Sequence, residues 1–140
     1  MNFIDRALAQ GDGLTPDDFL QAMADIYKEP QVWRELERYP QYIRDIIYII
    51  DYDTEVQMEG LDACVAGPCA EQYICALLNC GAVSEAELLK RAKELADSGA
   101  VAEDEAFDAE MEALSRRIAL NQDYEGFWDL VRGYIERSQT

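Results

Sequence analysis

The stretch Gln41–Gly60, QYIRDIIYIIDYDTEVQMEG, decides the fold. Ile43, Ile46, Ile47, Ile49, Ile50 and Val56 recur at helical spacing and cover more than half the circumference of one long helix, which Gly60 closes. An apolar arc that wide marks a central, largely buried helix, since a surface helix carries a narrower stripe. Asp53 falls inside the arc. A buried carboxylate is costly unless it is hydrogen-bonded or paired. Asp53 is therefore expected to meet an arginine, a tyrosine hydroxyl or backbone amides, or to lie where the helix emerges into solvent.

Helix signals continue on both sides. Upstream, a short helix is expected around Phe3 to Ala9. Thr15 then serves as an N-cap, Pro16 takes the first helical position, and Asp17 and Asp18 sit at the positive end of the helix dipole. Phe19, Leu20, Met23, Ile26 and Tyr27 follow at helical spacing until Pro30. A short helix over QVWRELERY carries Val32, Trp33 and Leu36 before Pro40. Downstream, Pro68 opens a helix through AEQYICALLN, with Gly81 as its left-handed C-terminal residue. Ser84 and Glu87 form a capping box for a helix with Leu88, Leu89, Ala92 and Leu95, ending near Ser98 and Gly99. EDEAFDAEMEALSRRIAL places Phe107, Met111, Leu114 and Ile118 on one face, and DYEGFWDLVRGYIER offers Phe127, Trp128, Val131, Tyr134 and Ile135. Strand-type alternation bounded by hairpin turns is missing. The expectation is an all-α protein, a single compact orthogonal or irregular bundle of about seven or eight helices occupying residues 1–140 as one domain.

Composition bounds the function. The chain has 140 residues, 49% of them hydrophobic, enough for a core without staples. It carries 29 Asp and Glu against 12 Lys and Arg, with no histidine and a net charge of −17. Such a chain is repelled by nucleic-acid phosphates and by anionic membrane surfaces, so direct binding to either is not expected, and basic proteins become the natural partners. The plainer reading is that the acids keep a helical domain soluble. No window reaches the length of apolar chain that spans a bilayer, and Asp5 and Arg6 stand where a signal peptide would be apolar. A cytoplasmic location is the expectation, in which thiols stay reduced.

All four cysteines, Cys64, Cys69, Cys75 and Cys80, fall within CVAGPCAEQYICALLNC. Structural zinc sites bring two thiolates from a tight C-x2-C knuckle, whereas here the spacings are C-x4-C, C-x5-C and C-x4-C. On a helix, Cys75 and Cys80 are separated by about 140° and point to different sides. The cysteines read as core and turn residues, with Cys64 and Cys69 bracketing the turn VAGP. Cys69, at a helix start, is the one whose thiol would gain acidity from the dipole. No metal or other cofactor is expected.

Without histidine, Ser-His-Asp and Cys-His catalysis and histidine-based metal centres are impossible within the chain. Neither GxxxxGK[ST] nor GxGxxG occurs, so no phosphate cradle is recognisable. Acid pairs at helical spacing arise readily in so acidic a chain and carry no catalytic assignment. The protein is expected not to be an enzyme.

The segments IIDYDTEVQMEGLD and ALLNCGAVSEAELLKRA resemble a bacterial family of all-helical domains that includes DNA-mimic proteins. Glu55, Val56 and Gly60 match the end of that family's motif helix, with Leu61 in place of an aromatic residue. Gln57, Met58 and Glu59 replace its two asparagines and first glycine. Leu77, Gly81, Ala82, Leu88, Leu89 and Ala92 fit its second half. The resemblance covers a core of about residues 40–98 and implies an all-helical fold and a protein partner that normally binds DNA, such as a transcription factor.

A mimic must present carboxylates where DNA presents phosphates. Asp51, Glu55 and Glu59 lie at i, i+4 and i+8 in one stripe that Asp62 extends, beside Tyr48. Glu105, Asp108 and Glu112 form a second stripe. A domain of this size is about 35–40 Å across, and that length of duplex carries about 20–24 phosphate charges, comparable to −17. Three readings follow: an acidic protein that occupies the DNA-binding surface of a basic regulator, an immunity-type inhibitor of a basic toxin or nuclease, and a helical domain whose acidity serves solubility alone. Whether the two stripes share a face, and whether the chain is a monomer or a homodimer, the residues leave open.

Overall fold

The computed structural model describes residues 1–10, 13–98 and 105–139, and among these the chain is helical with no strand. The α-helices are α1 Phe3–Ala9, α2 Pro16–Met23, α3 Gln41–Glu59, α4 Leu61–Ala66, α5 Ala70–Cys80, α6 Val83–Asp97, α7 Glu105–Arg117, α8 Ala119–Gln122 and α9 Tyr124–Gln139. The all-α expectation holds. None of these helices is long and apolar enough to cross a membrane.

The isoleucine arc of α3 does what its spacing requires. Ile43, Ile46, Ile47, Ile49, Ile50 and Val56 are all buried, and α3 packs most extensively on α5, with α2, α4 and α9 around it. Phe3 and Ile4 of α1, Phe19 of α2, Leu77 of α5, Leu89 of α6 and Phe127 of α9 join the same continuous core. Truncating a side chain there removes apolar contact and leaves a cavity. Ile47→Ala, fully buried at the centre of α3, is expected to lower unfolding free energy by about 2–5 kcal/mol in denaturant titration.

Local capping signals resolve as written in several places. Thr15 and Asp18 exchange hydrogen bonds in a capping box, with Pro16 as the first helical residue. Gly81 takes the left-handed conformation, φ 92° and ψ 4°, at the end of α5. Gly60, with φ 94°, turns α3 sharply into α4, where a Cβ would be strained.

Other segments depart from expectation. The helix after Thr15 tightens into a 3₁₀ turn over Ala24–Tyr27, and Pro30–Arg38 is 3₁₀ throughout. The segment Leu61–Ala66, which takes in the first half of the expected turn VAGP, forms α4, because Leu61, Cys64 and Val65 turn one face into the core. The α5 helix begins at Ala70, two residues beyond Pro68. The Ser84–Glu87 capping box is not formed: α6 starts at Val83 with Ala82 as its cap, and Ala86 N–H donates to Ala82 C=O at 3.0 Å. That earlier start directs Glu85 into the interior, where it has partners from two other helices. The α7 helix ends at Arg117, and Ile118 takes extended backbone before α8. Gly99, Glu103 and Asp104 lie outside the described residues.

Candidate protein-binding surface

The acidic residues divide into those the fold uses and those it leaves free. The inward group is held mainly by tyrosine. Tyr39 donates to Asp5 at 2.9 Å, Tyr134 to Asp45 at 2.6 Å, Tyr52 to Glu85 at 2.9 Å and Tyr124 to Asp53 at 2.8 Å. Tyr27 and Tyr73 both donate to Asp51, one to each carboxylate oxygen. Six of the eight tyrosines therefore bond a carboxylate. Asp53 resolves as one of the expected alternatives: a tyrosine hydroxyl reaches it.

The phenol is a neutral donor. It satisfies the carboxylate's lone pairs without cancelling its charge, unlike an arginine. Asp45, almost fully buried, accepts from Gln41, Asn79 and Tyr134, all neutral. Glu85 is likewise buried and accepts from the Tyr52 hydroxyl and from Ala119 N–H at 2.6 Å. Burial pushes the Glu85 carboxyl above its ordinary pKa against the lowering effect of these donors, and it acts the same way on Asp53. Between Arg44 and Lys90 the sequence contains neither lysine nor arginine. A count of cations along the chain could have found this region, whereas helical stripes alone did not.

The two predicted stripes are placed differently along their length. Asp51 is half-buried and engaged by both tyrosines, and Glu55 is half-buried on the next turn. Glu59 and Asp62 are exposed at the α3–α4 junction, and Glu105, Asp108 and Glu112 are exposed on α7. The stripes meet at one end. Asp62 with Gly60 and Leu61 forms one wall of a groove of about 240 Å³, and Asp108 and Glu112 with Phe107 and Met111 form the other. Glu112 is paired with Arg116 one turn later. Glu59, Asp62, Glu105 and Asp108 have no ion-pair partner among the described residues.

The cysteines pack as small hydrophobes, with Cys64 and Cys80 buried, Cys69 half-buried and Cys75 exposed, and all four are free thiols. Burial pushes the Cys64 thiol up to about 12, with Glu55 and Asp51 adding to the effect. Cys69 caps α5, yet burial and the same two carboxylates raise its pKa, so the acidity expected from the helix start is overridden. Among the described residues no three Cys, Asp or Glu side chains are placed to hold a metal ion. A thiol reagent at pH 8 is expected to label native protein first at Cys75, with Cys64 and Cys80 labelled only on unfolding. Faster labelling of Cys69 than Cys75, read by peptide mass mapping, would contradict this.

Fold and surface define a class: an all-helical acidic protein whose interior carboxylates are held by neutral donors and whose exposed Asp62, Asp108 and Glu112 line one groove. The model of the DMP19-like protein family matches residues 37–138, well over half of the chain, and the chain belongs to that family. This is the DNA-mimic family suggested by the Glu55–Gly60 motif, and the match runs past the expected core of about residues 40–98 to include α7, α8 and α9. No curated protein and no solved structure matches the chain.

Proposed function

We propose that the protein is a non-catalytic binding protein that acts as a DNA mimic, presenting the carboxylates of the α3–α4 junction and α7 to the basic DNA-binding surface of a regulatory protein. The observation that carries this reading is the approach of Asp62 to Asp108 and Glu112 across one groove, with Glu59 beside it, in a chain of the DNA-mimic family. Unpaired carboxylates on a rigid helical frame provide fixed negative charges, and such arrays steer basic partners and set the register of binding.

The test is capture from native lysate at low salt on immobilised protein, followed by competition with duplex DNA. The expected result is a basic DNA-binding regulator that binds in a salt-sensitive manner and is released by DNA. Recovery of no basic protein, or of one indifferent to DNA, overturns the reading. A basic nuclease recovered in its place would assign the same surface to immunity.

A further inference from the structure

In a chain with far more acids than bases, most arginines are expected to find a carboxylate partner. Arg6, Arg38, Arg91, Arg116 and Arg132 each pair with an Asp or Glu. Among the described residues Arg34, Arg44 and Arg117 form no ion pair, and of these Arg34 and Arg44 line the same cavity of about 340 Å³ between the 3₁₀ segment Pro30–Arg38 and the first turns of α3. The Arg44 Nε is buried with no acceptor among the described residues. An unmet buried donor is destabilising, and more so when it carries charge.

Acids are near, but they do not meet this need. Asp45, the next residue, lines the cavity too, yet its oxygens are taken by Gln41, Asn79 and Tyr134. Glu37 also lines it and lies beyond ion-pair distance of either guanidinium. Trp33 and Tyr48 contribute a tilted ring pair with centroids 5.6 Å apart as an aromatic wall. The Tyr48 hydroxyl, the Trp33 indole N–H and the Gln72 amide donate no hydrogen bond within the described residues. Among the described residues the wall thus offers several donors without an acceptor and two guanidinium groups without an ion pair, with Arg34 and Gln72 at its exposed rim.

We propose that this cavity is a binding site for a small oxyanion, a ligand bearing a carboxylate or phosphate group held by Arg34 and Arg44. Guanidinium groups match both anions in planar, two-pronged geometry. The volume lies in the range of small-molecule sites, about 300–1,000 Å³. A polyanion such as duplex DNA meets the repulsion of the whole acidic surface. A small anion inside the cavity lies within about one Debye length, roughly 8–10 Å at 0.10–0.15 M salt, of Asp45 and Glu37 as well as of the two arginines, and the direct two-pronged hydrogen bonds of the guanidinium groups are what favour it.

The chain has two tryptophans, so Trp128→Phe leaves Trp33 as sole reporter in the cavity wall. Fluorescence of that variant is titrated with inorganic phosphate and, separately, with succinate at constant ionic strength, and wild-type protein is titrated in parallel by calorimetry. A saturable response to either anion is expected, with the responding one naming the class. Arg44→Gln and, independently, Arg34→Gln are expected to weaken it at least tenfold, while Arg117→Gln, exposed and lining a different cavity, leaves it unchanged. Thermal melts verify that each variant is folded. Responses that do not saturate, that survive both cavity substitutions, or that appear with duplex DNA and with neither small anion overturn the proposal.

Discussion

Replacing Glu59, Asp62 and Asp108 together by Gln, Asn and Asn is expected to weaken capture of the basic partner by about threefold to a hundredfold at low salt. The range follows from about 0.2–1 kcal/mol for each exposed charge and a factor of ten for every 1.4 kcal/mol. All three side chains are exposed and none has an ion-pair partner among the described residues, so their neutralisation breaks no ion pair and costs only the helix-dipole contribution of Asp62 and Asp108 in the first turns of α4 and α7. Relief of like-charge repulsion leaves the melting temperature unchanged or higher. A control triple, Glu87→Gln, Glu94→Gln and Glu125→Gln, alters net charge equally at exposed positions outside the groove. Position matters if the groove triple alone loses binding. Equal losses from both triples would mean that bulk charge, not this groove, attracts the partner.

Stability is expected to rise as pH falls from 8 to about 5.5. Glu85 and Asp53 hold their protons more tightly folded than unfolded, because burial raises both pKa values. Over the interval between the ordinary carboxylate range and the raised folded values, the native state therefore binds more protons, and raising pH costs stability. Their favourable contribution is fully present below the unfolded pKa and is lost as pH climbs through the folded one. Asp5 acts in the opposite sense: its pKa is lowered, chiefly by the Tyr39 hydroxyl, and its contribution is lost only on acidification below the usual aspartate range. Acidification to 5.5 also trims the repulsion of a chain of net charge −17. A melting temperature several degrees higher at pH 5.5 than at pH 8 is the expected result, with about 2–8 °C corresponding to each kcal/mol in domains of this size range. Glu85→Gln should flatten the profile. Its carbonyl still accepts from Ala119 N–H and its amide can donate to the Tyr52 oxygen, while the ionisation is gone. A profile that falls on acidification, or a variant as pH-dependent as the parent, would refute the assignment.

Local periodicity carried the helices that have strong arcs or complete caps. The isoleucines of α3, the Thr15–Pro16–Asp18 start of α2 and the Gly81 terminus all depend on residues within a few positions of one another, and all were legible. The six-residue α4 was not, because Gly60 supplies no side-chain cap and only packing against α3 and α6 makes the segment helical. Ser84 and Glu87 spelled a capping box, yet α6 starts at Val83 and turns Glu85 inward, where Tyr52 and Ala119, 33 and 34 positions away, hold its two oxygens. The same distance problem hid the tyrosine–carboxylate bonds, which join positions up to 89 residues apart. The acidic residues of the candidate groove were individually legible as stripes. Their meeting was not, since it depends on how α4 sits against α7.

The tyrosine-held interior separates cohesion from adhesion in its response to salt. Bonds from the phenols of Tyr134 and Tyr52 to the buried Asp45 and Glu85 lie largely beyond the reach of mobile counterions, and screening the outer carboxylates eases the strain of crowding so many like charges on one small body. Contacts to a basic partner across water weaken under the same screening. Raising ionic strength should therefore firm the protein while loosening its grip, allowing it to be stripped from a partner and returned to low salt through repeated cycles without unfolding.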